Sequence, residues 1–186
     1  MVLSASNDPK ILWKLIREEG VTHSAGVPTV WLALFGDLDA NGGDYAALRY
    51  VVIGGSAAPR AMIERLTKAG VQVGHAWGMT ETSPIGTIGA RPANWDELSY
   101  EEQIDLVQNQ GRIPYGVQLR VVDEEGALQP RDGESSGHLQ IKGPWIVQRY
   151  FKAEEDALTP DGWFDTGDIA VIHPDVAKDL MRDPDW

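Results

Sequence analysis

Tyr50-Val51-Val52-Ile53-Gly54-Gly55-Ser56-Ala57-Ala58-Pro59 decides the fold of this chain. The Tyr-Val-Val-Ile run is aromatic and β-branched and reads as a buried strand. A turn of very small residues follows. Pro59 then opens a helix that places Met62, Ile63 and Leu66 on one face and stops at Gly70. Val71-Gln72-Val73 is the next strand. Strand, tight turn, helix and strand make a βαβ unit with parallel strands. Ligands of open parallel sheets sit beyond the carboxyl ends of the strands. Residues 54–58 and 74–78 both lie at such ends, which makes that rim the candidate site.

The stretch that leaves the second strand is His75-Ala76-Trp77-Gly78-Met79-Thr80-Glu81-Thr82. It gathers an aromatic ring, a glycine, hydroxyls and a carboxylate. That mixture suits a ligand with a flat ring, a phosphate and a bound metal.

Towards the N-terminus, Asn7-Asp8-Pro9 reads as a helix start, with Ile11, Leu12, Leu15 and Ile16 on one face and Gly20 as the stop. Residues 21–25 read as a strand. Pro28 opens a helix expected to end near Phe35. Asp37-Leu38-Asp39-Ala40-Asn41-Gly42-Gly43 reads as a loop. It matches the first half of a calcium-binding loop, but Leu48 stands where a bidentate Glu is required. A polar connector is the reading that remains.

Towards the C-terminus, Ser99-Tyr100-Glu101-Glu102 is a capping box, with a charged helix to about Gln108. After it the pattern becomes β: strands are expected at 117–122, 137–142, 146–150 and 169–172, with turns at 123–126 and 131–133. The fold class is therefore α/β: a parallel βαβ sheet portion followed by a small all-β, distorted barrel-like portion. The expected organisation is an α/β nucleotide-binding part over 1–95, a helical connector over 96–110, a β-rich part over 111–174 and a tail over 175–186.

Composition excludes several classes. The chain has 28 acidic and 16 basic residues and a net charge of -12, which disfavours nucleic acid. It has no apolar run long enough to span a membrane and no signal-peptide pattern. Cysteine is absent, so there are no disulfides or thiolate metal sites, in keeping with a reducing, cytoplasmic setting. His23, His75, His138 and His173 lack zinc-site spacing.

Two isolated features carry more than one reading. Gly54-Gly55-Ser56-Ala57-Ala58 nearly matches the nucleophile elbow of α/β hydrolases, but Ala58 replaces the final glycine. A turn built for close backbone approach to a ligand is the alternative. Asp161-Gly162-Trp163-Phe164-Asp165-Thr166-Gly167-Asp168 reads either as an acid-capped turn or as a rigid turn that presents Asp168 to a sugar diol.

Taken in order, these clusters resemble the acyl-adenylate-forming family of acyl-CoA synthetases, adenylation domains and luciferases. The resemblance rests on Gly26-Val27-Pro28-Thr29, on 54–59, on 77–82 and on 162–168, with Gly137-His138-Leu139-Gln140-Ile141-Lys142-Gly143-Pro144 as a looser addition. It covers the chain from about Leu12 to Ile172. Ala25-Gly26-Val27-Pro28-Thr29-Val30-Trp31 and Gly143-Pro144-Trp145 are most similar to bacterial medium- and long-chain fatty acyl-CoA ligases; methylthiopropionate-CoA ligases look similar as well.

The resemblance implies a nucleotide site of Gly55, Ser56, Ala57, Ala58, His75, Ala76, Trp77, Gly78, Met79, Thr80 and Asp168. Ser56, Ala57 and Ala58 would wall the adenine slot and Trp77 would stack on the base. Gly78 would admit the acyl carboxylate, with Met79 near the acyl chain. Thr80 would bond the α-phosphate, Glu81 would bind Mg²⁺ and Asp168 would hold the ribose, with Thr80 and Glu81 the catalytic pair. The family reaction joins a carboxylate to ATP as acyl-AMP, then transfers the acyl group to a thiol such as CoA. It implies a fatty acid and a nucleotide as partners.

The family's phosphate loop and the small domain with its lysine are expected to lie outside this chain. Weak AMP or acyl-AMP binding, with little or no turnover by the chain alone, is the corresponding expectation. Self-association through surface that other parts of such a protein would cover is a further one. Asp175-Val176-Ala177-Lys178-Asp179-Leu180 faintly resembles the family's interdomain hinge, with Val176 where arginine is expected; an acidic tail is the other reading.

Overall fold

Helix α1 (Pro9–Glu18) starts where its cap predicts. The Asp8 carboxylate accepts the Lys10 N–H, and Pro9 occupies the first turn. The computed structural model describes residues 1–174; the tail at 175–186, with the hinge-like segment and Lys178, lies outside them. The chain divides into two compact units. The first is Met1–Gly78 with Thr87–Gly111; the second is Met79–Gly86 with the residues from Arg112 onward.

In the first unit β1 (His23–Gly26), β2 (Tyr50–Ile53) and β3 (Gln72–Trp77) are parallel neighbours, and β4 (Thr87–Ile88) adds antiparallel to β3. The register pairs Tyr50 with Gln72 and Ile53 with His75, so the turn after β2 sits beside the end of β3. Gly74 pairs with Val52, and a side chain there would collide with the Tyr50 phenol.

Helix α3 (Arg60–Lys68) buries Met62, Ile63 and Leu66, the face expected from the sequence. With Val51, Ile53, Trp13, Trp31 and Leu34 they form the core of this unit. Each such side chain contributes roughly 1.5–3 kcal/mol by leaving water. Trp13 is fully buried, and its indole N–H donates to the Leu34 carbonyl at 2.9 Å.

Helix α2 (Pro28–Asn41) corrects the sequence reading, which ended it near Phe35 and made 37–43 a loop. The polar run of Asp, Asn and Gly over 37–43 reads locally as a connector. Tertiary contacts override it: Leu38 continues the buried face of Trp31, Leu34 and Phe35, and both Asp39 oxygens bind Arg65 at 2.7 and 2.8 Å. The calcium-like oxygens thus lie on a helix.

Helix α4 (Tyr100–Gln108) has the predicted capping box. The Ser99 hydroxyl accepts from the Glu102 N–H, and the Glu102 carboxylate accepts from the Ser99 N–H at 2.8 Å. Ser99→Ala is expected to cost about 1 kcal/mol, read as a lower urea midpoint with the circular dichroism of the folded chain unchanged. Residues 96–110 belong to the first unit, where α4 packs on α3.

The second unit holds an antiparallel sheet of β5 (Gln118–Val122), β6 (Gly137–Lys142) and β7 (Phe164–Ala170), in that order. Two strand expectations are corrected. No strand forms at 146–150: the Ile146 N–H turns back to Gly143 and the Val147 N–H donates to the Glu81 carbonyl, so neither is left for a ladder. The last strand begins at Phe164 rather than Ile169. The register slips between His138 and Gln140, leaving 166–168 opposite Leu139 as a bulge with Gly167 at φ 75. Among the described residues no helix is long and apolar enough to cross a membrane.

Candidate functional site

The turn after β2 is shaped by its glycines. Gly55 has φ 82, and a Cβ there would lie 2.9 Å from a Val27 methyl. A Cβ on Gly54 would lie 3.2 Å from the Ala76 carbonyl oxygen. Position 54 is therefore tight against β3, and position 55 holds a left-handed backbone that residues with side chains rarely adopt. Gly55, Ser56 and Ala57 are exposed, while Ala58 is buried and anchors the turn.

His75 performs that anchoring. It is 1% exposed, and both ring nitrogens are engaged: Nε2 accepts the Ala58 N–H at 3.1 Å, and Nδ1 faces the Gln108 carbonyl at 2.9 Å. The first bond requires a bare Nε2, so the proton sits on Nδ1 and donates to Gln108. Burial pushes the imidazole pKa down; backbone hydrogen bonds oppose the shift. Arg60 supports the same arrangement, reaching Glu64 on its own helix and Glu101, Asp105 and Gln108 on α4.

After His75, Ala76 is buried and Trp77 and Gly78 are half-buried at the strand end. The first unit therefore brings together Gly55, Ser56, Ala57, Ala58, His75, Ala76, Trp77 and Gly78 on one rim. The Ser56 hydroxyl bonds no histidine or acid among the described residues, and the His75 nitrogens are committed elsewhere. The elbow geometry of a hydrolase is thus without a base. A separate cavity of about 730 Å³ lies beside β1, with Leu12, Leu15, Ile16, Val30, Trp31 and Leu34 among its walls. The Trp31 indole N–H is buried without an acceptor among the described residues.

The second unit carries Met79, Thr80, Glu81 and Asp168. Thr80–Thr82 forms a short 3-10 turn. The fully buried Thr82 hydroxyl fixes it, accepting the Met79 N–H at 2.9 Å and donating to the Pro84 carbonyl at 2.7 Å. Thr80 is exposed and Glu81 half-buried. The Val147 N–H donates to the Glu81 carbonyl at 2.8 Å, and the Tyr150 hydroxyl donates to Glu81 Oε1 at 3.0 Å. The hydrogen bond to that carboxylate raises the phenol's pKa.

Asp168 is exposed on the β7 bulge rather than on a free-standing turn. The Thr166 hydroxyl donates to the Leu139 carbonyl at 2.8 Å and accepts the Asp168 N–H at 3.2 Å, which fixes the bulge. Before the strand, Arg120 stacks 4.5 Å from the Trp163 ring centroid and binds Asp161. The Arg120 hydrogen bond is the largest cause holding the Asp161 carboxyl at about 2.

Among the described residues no cluster of three or more His, Asp or Glu is placed to hold a metal. Glu81 stands as a single carboxylate with one oxygen taken by a phenol. Mg²⁺ usually keeps several waters and takes one or two carboxylates together with phosphate oxygens. The lone Glu81 fits that cation in the company of a nucleotide, not as an all-protein site.

Sequence reasoning missed Tyr150, the buried Thr82 hydroxyl and the double engagement of His75. No local signal marks Tyr150, which lies 69 residues from Glu81 in the chain. The engagement of Thr82 and His75 likewise depends on partners that the folded chain supplies.

The pattern of the family described as "AMP-binding enzyme" matches residues 1–151. The chain is 45% identical over 183 residues to a medium-chain-fatty-acid–CoA ligase of Ectopseudomonas oleovorans, covering 94% of this chain and 34% of that protein. It is 48% identical over 182 residues to a long-chain-fatty-acid–CoA ligase of Thermus thermophilus, covering 95% of this chain and 34% of the relative. A crystal structure of a long-chain-fatty-acid–CoA ligase from Archaeoglobus fulgidus has the same fold, with a TM-score of 0.72 at 24% identity over 89% of this chain and 34% of that one. The chain thus spans about a third of the length of the curated relatives it matches. The ordered motifs and this match place the chain in the AMP-binding enzyme family.

Proposed function

We infer that this chain supplies nucleotide-binding elements of an adenylate-forming enzyme, which in its whole form is a fatty acid–CoA ligase. The observation that carries the reading is the exposed 55–57 turn held beside the Trp77 end of β3. In the first unit Gly55, Ser56, Ala57 and Ala58 wall the adenine and Trp77 stacks on it. The Ala76 and Gly78 backbone allows close approach, and His75 positions the wall through Ala58. In the second unit Thr80 bonds the α-phosphate, Glu81 takes Mg²⁺, Met79 faces the acyl group and Asp168 accepts the ribose hydroxyls.

Mg²⁺, when bound with the phosphates, would offset their charge during in-line attack by a carboxylate. The side chains orient and stabilise rather than react covalently, which is why glycine, threonine and acids suffice. ATP and CoA are the co-substrates of the whole reaction.

Calorimetric titration with AMP tests the reading. The chain is expected to bind AMP, and Trp77→Ala to weaken it roughly tenfold, the scale of one base stacked on an aromatic ring. Absence of AMP binding at millimolar concentration, or an unchanged affinity in Trp77→Ala, overturns it.

A further inference from the structure

We propose that Tyr150 is a positioning residue for Glu81: its phenol holds one carboxylate oxygen and presents the other to the divalent cation that accompanies a nucleotide. This rests on the role of Glu81 given above, and it adds a residue outside every motif that pointed to the site.

The geometry is built from one loop. Residues 145–150 run alongside 81–85 within the second unit. The Trp145 indole N–H donates to the Ile85 carbonyl at 3.2 Å, the Val147 N–H to the Glu81 carbonyl at 2.8 Å, and the Tyr150 hydroxyl to Glu81 Oε1 at 3.0 Å. The first two bonds hold the backbone of the short turn. The third holds the carboxylate itself.

Tyr150 is 50% exposed, so its hydroxyl has water available and packing does not force this pairing. The choice of donor matters chemically. A lysine or arginine would hold the same oxygen but would cancel the charge a cation needs. A neutral phenol donates a hydrogen bond and leaves the carboxylate anionic. Among the described residues no Lys or Arg forms an ion pair with Glu81. Its second oxygen has no hydrogen-bond partner among them either.

Outer partners of this kind orient metal-binding carboxylates and sharpen their affinity. For a half-exposed bond the expected effect is that of one net hydrogen bond, roughly three- to tenfold.

The test is Mn²⁺ titration of the full chain at saturating AMP, with free Mn²⁺ read from its electron paramagnetic resonance signal. Wild type, Tyr150→Phe, Glu81→Gln and the double variant are compared, with AMP affinity measured separately without metal. The expected result is weaker Mn²⁺ binding in each single variant, no further loss in the double, and unchanged metal-free AMP affinity and urea midpoint in Tyr150→Phe. If Glu81→Gln weakens Mn²⁺ while Tyr150→Phe stays within twofold of wild type, the positioning role is overturned and the Glu81 role survives. A Tyr150→Phe loss that persists in the Glu81→Gln background overturns it as well. If Glu81→Gln leaves Mn²⁺ binding unchanged, or wild type binds no Mn²⁺ beside AMP, both the Glu81 role and the positioning role fall.

Discussion

Gly111→Ala is expected to destabilise the first unit by about 3 kcal/mol or more. Gly111 has φ 87, and a Cβ there would overlap the backbone of Ile88 and Gly89. A flexible side chain can swing aside; these atoms are pinned. Ile88 pairs with Ala76, the Gly89 N–H donates to the His75 carbonyl at 2.7 Å, and the Thr87 hydroxyl donates to the Gln110 carbonyl at 2.5 Å. Relieving the overlap would move β4 away from β3, at the level of His75 and Ala76.

Gly20→Ala is the control. Gly20 also has a positive φ, of 60, but a Cβ there meets nothing within 4 Å. It should cost only the left-handed penalty, about 1–2 kcal/mol. Urea unfolding followed by tryptophan fluorescence compares the two. Equal losses would mean that the crossing of 87–89 with 110–111 yields easily.

The second large effect is expected at His75. His75→Ala leaves the buried Ala58 N–H without its acceptor and opens a cavity between β3 and the end of α4. A buried orphan donor costs about 1–3 kcal/mol, and the cavity adds to it, so a total of about 2–3 kcal/mol is expected. AMP affinity should fall with it, because the turn that carries Ser56 and Ala57 loses its anchor.

The same residue sets a pH dependence. Its folded pKa is lowered by burial, so the folded chain binds this proton less readily than the unfolded chain. The stability gained by keeping the ring neutral is complete above the unfolded value, about 6.5. It is lost as the pH falls towards the lower folded value. Between pH 7 and 5 the wild-type urea midpoint should fall more steeply than that of His75→Ala. Parallel curves would show that the ring does not titrate with folding.

The parts of the site differ in how far they could be read in advance. Residues 54–59 and 75–82 are continuous segments whose small residues, ring and acids sit side by side, so their chemistry shows in order and composition. His75 was read as part of the nucleotide site because it stands inside that segment. Its burial and its bond to the Ala58 N–H show that it supports the rim from beneath instead of lining its surface. Asp168 was read on a turn because Asp-Thr-Gly-Asp is turn chemistry. Pairing with β6 makes the same residues a bulge within β7.

By itself the sequence determined the βαβ unit, the starts of α1 and α4, the α/β class and the ordered motifs of the AMP-binding family. Those features depend on neighbours a few residues apart: a 3.6-residue period, a cap, a run of β-branched side chains, a glycine turn. Tertiary structure alone decided that α2 runs on to Asn41, that 146–150 is not a strand, and that His75 is locked between Ala58 and Gln108. It also decided that Tyr150 reaches Glu81. In each of these the deciding partner is distant in sequence. Arg65 overrides a loop composition at Asp39, and Glu81 takes the N–H that a strand at Val147 would have used. Local propensity is worth tenths of a kcal/mol per residue, and one buried contact or committed backbone donor outweighs it.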